Sequence, residues 1–369
     1  MKIAILTLPL HYNYGGILQA WAMQTVLVQM GHSVEILMPK QQQGHKKMIL
    51  PIVWAYRFLR RLTGKNDIPV FAEKEFRKNH EKIYGGLDSF KNKQFKAKYI
   101  STFEDLNNSD YDSIIVGSDQ IWRKQYIHLL WKTEFVSDVF LRKVNGKKLL
   151  RIAYAASLGV DKWEYTPNET SEIAAALSKF KRISVRESSG VDLLLKNTGC
   201  KSSWVIDPTM LLSAQDYRRL YDKNKSSNQF EVVSYILDSN IETTNLISKV
   251  SNDLKMSVHE LNKRQAQERK CSLEEWLQAI DKSKFVITDS FHGCVFCLIF
   301  KKPFIFVGNV ERGNARFSTL IEKFDIGNHF IDCIESYSKD KDYRISENTI
   351  QLIEQSKEKS FSFLCEALR

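Results

Sequence analysis

The chain has 369 residues, of which 43% are hydrophobic and 26% charged, and it carries a net charge of +11. That length exceeds one ordinary core and points to two domains, and the composition excludes a disordered or fibrous chain. No apolar run is long enough to cross a bilayer, and MKIAILTLPL lacks the long apolar stretch and small-residue cleavage site of a signal peptide, so a cytoplasmic protein is expected.

The first predicted unit is a βαβ. KIAIL is a buried strand, HYNYGG a glycine-bearing turn, ILQAWAMQTVLVQMG a helix closing at Gly31, and VEIL the next strand. In that turn Asn13, Gly15 and Gly16 let the backbone approach a ligand closely, although the spacing is neither GxGxxG nor a Walker loop. A plain tight turn is the alternative.

Residues from about 41 to 105 break the rhythm and read as an insertion. Residues 41 to 100 hold 14 Lys and Arg against 5 Asp and Glu, which leaves the rest of the chain nearly neutral. No nucleic-acid motif accompanies the basic block, so no nucleic-acid partner is expected. Within it, Met48 to Leu62 combines an apolar body with Trp54, Tyr56, Arg57, Arg60 and Arg61. Such a segment suits peripheral contact with the anionic inner face of a membrane, or else a basic helix packed at the domain cleft.

The α/β rhythm then resumes. DSIIVGSD is a strand opening into Gly117, Ser118, Asp119 and Gln120; Asp119 is placed to hold a sugar hydroxyl, or to cap the next helix. The acidic pair Asp110 and Asp112 precedes its strand and reads as a solvated loop rather than a metal site. LLRIAYAASLG is a strand ending at Ser157, RISVRE a strand ending at Arg186 and Glu187, and WVIDPTMLL a strand exit at Asp207 to Thr209. The chain turns polar after Leu212, so the first domain is assigned to 1–212, a linker to 213–228 and a second domain to 229–369.

The second domain repeats the alternation through EVVSYIL, NLISKVSNDLKM, SVHEL, SLEEWLQAI, KFVITDSFHG, CVFCLIFKK and PFIFVG, with a mostly helical end after Phe317. Cys294 and Cys297 have CxxC spacing but no further zinc ligands nearby, and CVFCLIF reads as a buried helix. The other cysteines, Cys200, Cys271, Cys333 and Cys365, show no disulfide pattern. Strands alternating with helices predict two Rossmann-like α/β domains with mainly parallel sheets, facing a cleft. Ligands in such sheets sit beyond the carboxyl ends of the strands, where the polar turns just named all fall.

The sharpest of those turns is TDSFHG. An apolar strand ends in Thr288, Asp289, Ser290, His292 and Gly293, and an apolar helix begins at once. A helix start offers free N–H groups to an anion, and an imidazole beside it exchanges protons near neutral pH. Alternatively, Asp289 or Ser290 caps the helix while His292 packs. Arg186, and Arg316 in NVERGNARF, have the planar fork that suits carboxylate or phosphate.

The order of NYGGILQAWAM, IVGSDQIW, YAASLG, ISVRE, WVIDPTMLL, TDSFHG and NARFSTL resembles the polysaccharide pyruvyl transferase family. The resemblance spans most of the chain from Asn13 to about Phe324, and leaves 41–100 uncovered. It implies a GT-B-like fold, phosphoenolpyruvate as donor, a sugar or lipid-linked oligosaccharide as acceptor, a pyruvyl ketal as product and no required metal. The family's histidine matches His292 and a donor-binding arginine matches Arg186. Some relatives carry an arginine where this chain has Ser290; Arg316 or Arg312 would then substitute.

The implied reaction assigns tasks. Arg186 and Arg316 clamp the donor's anions, His292 transfers a proton, and either Asp119 or Asp289 accepts the proton of the acceptor hydroxyl. The glycine turn, Ser118, Gln120, Ser157 and Ser290 complete the substrate contacts. A glycosyltransferase of the same fold using a nucleotide sugar is the competing expectation, and a non-enzymatic glycan- or lipid-binding protein a third.

Overall fold

The computed structural model describes residues 1–40, 54–55, 72–146, 148–221, 229–262, 270–308 and 314–369, and no side chains within 72–77 or 314–316. Seven strands form the first sheet: β1 (Lys2–Leu6), β2 (Ser33–Pro39), β3 (Ala97–Ile100), β4 (Ser113–Val116), β5 (Leu150–Ala156), β6 (Arg182–Val185) and β7 (Ser203–Trp204). Their order is β3-β2-β1-β4-β5-β6-β7, with every pair parallel. The second sheet comprises β8 (Phe230–Tyr235), β9 (Val258–Glu260), β10 (Ser283–Thr288), β11 (Phe304–Val307) and β12 (Phe330–Ile331). It is also fully parallel, in the order β12-β11-β10-β8-β9. Central strands such as β1 and β4 are almost wholly buried, because crossover helices cover both faces. These are two Rossmann-like α/β domains in a GT-B-like arrangement, as expected.

Helix α1 (Tyr14–Gln29) shows how the domains join. Asn13 caps its start by accepting from the Gly15 N–H at 3.0 Å. Gly31, at φ +87°, follows its end in a conformation that suits glycine. Apolar residues ring the helix rather than lining one stripe, because one side packs on the first sheet and the other meets the second domain. There Tyr14 stacks on Trp276 of α7 (Leu273–Asp281) with ring centroids 5.4 Å apart, and its hydroxyl donates to the Cys271 carbonyl at 2.7 Å. One apolar cluster therefore runs through both domains.

Three segments add detail to the sequence reading. The stretch from 41 to 105 contains α2 (Ala72–Gln94) and the edge strand β3, which pairs with β2, so part of it is regular sheet. Three of the four residues of β3 are exposed, so it lacks the apolar run that marks a buried strand. Within the expected linker, α5 (Ala214–Tyr221) packs on α7, where Asp281 accepts from Arg218 at 2.8 and 3.0 Å and from Tyr221 at 2.7 Å. The last helix, α10 (Glu347–Leu368), crosses back onto the first domain. Its Ser360 hydroxyl accepts from the Ile206 N–H at 3.0 Å, and Glu366 pairs with Arg182 at 2.9 Å. The buried stripe Phe363, Leu364, Ala367 and Leu368 gives it that partner.

Met48 to Leu62 lies outside the described residues except for Trp54 and Ala55. Among the described residues no helix is long and apolar enough to cross a membrane.

Candidate active site between the two domains

The carboxyl ends of β1, β4, β5, β6 and β7 meet the carboxyl end of β10. His292 lies in the first turn of α8 (Phe291–Phe300), directly after β10, and is almost fully buried. Ser290 caps that helix by accepting from Gly293 N–H at 3.3 Å, and Gly293 is needed because a Cβ there would lie 2.2 Å from Thr288 Oγ1. The imidazole faces Gly15 in the first turn of α1. A Cβ on Gly15 would lie 2.0 Å from His292 Nδ1, so only glycine admits the ring. The first turns of two helices, one from each domain, thus converge on His292.

On its other side the ring faces Asp207, with Nε2 3.7 Å from Oδ2. That is too long for a hydrogen bond but within ion-pair range when the imidazole is protonated. The same oxygen accepts from Arg186 Nη1 at 3.0 Å and from Gln19 Nε2; Oδ1 accepts from the Thr209 N–H at 3.0 Å and hydroxyl at 2.6 Å. Burial alone pushes the Asp207 carboxyl up, but His292, Arg186 and Thr209 outweigh it and hold the group well below the usual carboxylate range.

Arg186 is the cationic centre of the cluster. Its Nε donates to Glu187 Oε1 at 3.2 Å, its guanidinium lies 4.6 Å from the Phe291 ring centre, and the whole side chain is buried. Burial lowers its pKa, yet the charges of Glu187, Asp207 and Asp119 more than reverse this, so the guanidinium stays protonated. Glu187 Oε1 also accepts from the Ser157 hydroxyl at 2.6 Å.

Among the described residues, four buried polar atoms of this one cluster have no hydrogen-bond partner: His292 Nε2, Arg186 Nη2, Glu187 Oε2 and Gln19 Oε1. An unmet buried polar atom costs about 1–3 kcal/mol, and folded chains keep few of them. These four lie together where the strand ends of the two sheets and helix α1 meet.

The sequence-predicted residues divide. His292, Arg186, Gly15 and Ser157 enter the cluster directly. Asp119 sits at its edge: its backbone is left-handed (φ +53°), Oδ1 accepts from the Gln120 N–H at 2.9 Å, and a Cβ on Gly16 would lie 3.1 Å from Oδ2. Gln120 turns its side chain away, accepting from Arg123 at 2.9 Å. Asn13 and Ser290 cap helices. Ser118 has a buried hydroxyl without a partner among the described residues, and its carbonyl accepts from Thr7 at 3.3 Å. Asp289 clamps the exit of β8, accepting from Leu237 N–H at 2.7 Å and Asp238 N–H at 2.9 Å. Arg312 and the side chain of Arg316 lie outside the described residues.

Asp207 and Glu187 stood among the strand-end residues of the sequence without a task, and Gln19 was not singled out. The available signal for Gln19 was a polar residue inside the apolar run ILQAWAM. Cys294 and Cys297 are buried in α8 as free thiols, both pushed up chiefly by burial.

Beside Arg186 and Phe291, Lys323 of α9 (Asn314–Phe324) lies 3.6 Å from the Trp204 ring centre. Burial, then Lys359, pushes its amine down to about 8, while Glu322 opposes the shift. A lysine with a folded value of about 8 and an unfolded value of about 10.5 is penalised below 8, and stability rises between those values because the unfolded chain then binds more protons. Lys323→Met should therefore lack that rise. Urea unfolding of both proteins at pH 7 and pH 10 checks this, and parallel pH profiles would show that the amine is not perturbed.

Two parallel α/β domains thus enclose a buried His–Asp–Arg cluster between facing strand ends, a candidate interdomain site. The profile of the polysaccharide pyruvyl transferase family matches residues 13–311, and the chain belongs to that family. No curated protein matches the sequence. Among solved structures, the chain is similar to UDP-GlcNAc 2-epimerase from Methanocaldococcus jannaschii, at 12% identity over 96% of this chain and 92% of that one, with a TM-score of 0.49. It is similar to UDP-GlcNAc 2-epimerase from Neisseria meningitidis bound to UDP-GlcNAc, at 11% identity over 100% and 94%, with a TM-score of 0.48. It is also similar to Arabidopsis thaliana UGT89C1 complexed with quercetin, at 10% identity over 97% and 94%, with a TM-score of 0.45.

Proposed function

We propose that the protein transfers the pyruvyl group of phosphoenolpyruvate to two hydroxyls of one sugar in a surface-glycan precursor, forming a ketal. The observation that carries this reading, beside family membership, is the buried Arg186–Asp207–His292 cluster with its unmet polar atoms. The donor presents a carboxylate and a phosphate on a three-carbon frame. A buried guanidinium with a free Nη2 fits one of those anions. His292 supplies the proton that turns the donor's terminal methylene into a methyl group, with Asp207 stabilising the charged imidazole.

One acceptor hydroxyl then bonds to the central carbon and loses its proton. Inorganic phosphate leaves with the bridging electron pair, and the second hydroxyl closes the ketal as its proton departs. Atoms balance: donor plus diol gives ketal plus phosphate. Asp119 is the better base, because both oxygens of Asp289 already accept backbone N–H groups. The cluster is sealed by the contact between the domains, so turnover requires them to part and close again.

A nucleotide-sugar donor is less well supported. The strand-end pocket of the second domain, ≈480 Å³, is lined by Asp238, Glu242 and Asp332, which would repel a diphosphate.

The test is incubation with phosphoenolpyruvate and a panel of galactose- and mannosamine-type acceptors, following phosphate release and acceptor mass. His292→Ala should lower turnover by about 10²–10⁴-fold with the fold intact. Acceptor-independent silence across the panel, or stabilisation by UDP but not by phosphoenolpyruvate, would count against the reading.

A further inference from the structure

A second pocket, ≈610 Å³, opens on the first domain where the chain leaves β1 and β2, walled on its far side by α2 and β3. Its electrostatics are the reverse of those in the second domain's pocket. Lys40, Lys91, Lys132 and His11 line it against a single carboxylate, Asp88. That carboxylate is committed: it pairs with Lys91 at 2.8 Å and with His80 at 3.7 Å. Lys40 and Lys132 are exposed and have no ion-pair partner among the described residues. Among the described residues that line it, the pocket therefore carries more positive than negative side chains, although the Asp105 carboxylate acts on Lys40 from outside the lining.

Aromatic surface accompanies the charge. Tyr99 lines the pocket 58% exposed, and Tyr12 stacks on Tyr84 with Lys91 Nζ 4.4 Å from its ring centre. Of Tyr99 and Tyr12, the former offers the exposed face, which suits packing on the apolar face of a sugar ring, and ammonium groups on flexible stems suit phosphate as point charges.

The pocket is tied to the catalytic cluster by one loop. Residues from Pro9 to Tyr12 line it, and the same chain, one residue on, begins the turn whose Gly15 backbone abuts His292 and whose Gly16 abuts Asp119. The volume is within the range of small-molecule sites and exceeds what the three-carbon donor needs.

We propose that this pocket is the subsite for the phosphate-bearing end of the acceptor, a sugar esterified to phosphate or diphosphate, with Lys40 and Lys132 as its principal anion contacts. The assignment to an acceptor rests on the pyruvyl-transfer reading; the binding of a sugar diphosphate does not. The shared chemistry is the sugar diphosphate, whether the far side of the ester is a prenyl chain or a nucleoside.

The experiment is calorimetric titration of the full-length protein with geranyl diphosphate, a UDP-hexose and a hexose 1-phosphate, on wild type, Lys40→Gln/Lys132→Gln and Lys40→Arg/Lys132→Arg. The diphosphate probes should bind wild type, bind the glutamine pair about 10- to 100-fold more weakly, and recover with the arginine pair. Tighter binding of geranyl diphosphate identifies a prenyl-linked source, and tighter binding of the UDP-hexose a nucleotide-linked one; either supports the subsite. Binding should persist in His292→Ala and in the presence of saturating phosphoenolpyruvate. No diphosphate binding, equal affinity in the glutamine pair, or competitive displacement by phosphoenolpyruvate would overturn the proposal. Intact diphosphate binding with no phosphate release from phosphoenolpyruvate would sink the transfer reading while leaving the sugar-diphosphate pocket standing.

Discussion

Asp207→Asn should destabilise the protein by about 3–5 kcal/mol and abolish most turnover. The carboxylate is fully enclosed and stands opposite Arg186, His292, Gln19 and Thr209. Asparagine keeps the shape but removes the charge, and its amide must point N–H groups at one of two sets of donors. Arg186 would then be a buried cation with Glu187 as its remaining close ion pair among the described residues and Asp119 acting from further away. The pH dependence follows from the sign of the shift. Asp207 has its folded pKa held below the unfolded one, so its contribution is complete above the unfolded value of about 4 and fades as pH falls through the folded value. Urea unfolding midpoints of wild type and variant should therefore stay apart at neutral pH and approach each other only in acid. Equal midpoints at pH 7 would mean that the cluster contributes no net stability.

Gly15→Ala should lower turnover by about 10²-fold while reducing stability by about 1–3 kcal/mol. The added methyl would lie 2.0 Å from His292 Nδ1 and 2.4 Å from Cγ, and Asp207 and Phe291 bound the ring elsewhere. Either the imidazole swings out or the two domains separate. Local helix propensity works in the opposite direction, since alanine is about 1 kcal/mol better than glycine inside a helix. A loss of activity therefore cannot come from weakening α1 itself. Gly16→Ala is the internal comparison for stability: its methyl would meet only the end of the Asp119 side chain, at 3.1 Å, and should cost far less stability. Equal turnover in wild type and Gly15→Ala would show that the imidazole need not occupy this place.

The two effects share an origin. His292 has no hydrogen bond on Nε2 and no room on its Nδ1 side, so its position is set by what surrounds it. The surroundings come from both domains: Gly15 and Asp207 from the first, and the α8 backbone from the second.

Local chemistry in the sequence determined the elements that repeat and the turns that end them. Runs such as KIAIL, DSIIV and KFVIT declare buried parallel strands because apolar residues occupy both faces. Polar, glycine-bearing turns after them mark the strand ends, and with them His292, Arg186 and Asp119. The exposed edge strand β3 escaped because short polar strands carry no periodic signal, and nothing in the apolar stripe of α10 says which sheet it covers. Only the tertiary structure decided which strand-end residues meet. Asp207 follows His292 in no sequence pattern; the pairing exists because two domains bring β7 and β10 end to end. The same packing turned Asp289 into a backbone clamp, made Gly15 a seat for a histidine 277 positions away in the chain, and left polar atoms of four residues without partners in a single place. Those are relations between surfaces, and a linear pattern of residue types does not encode them.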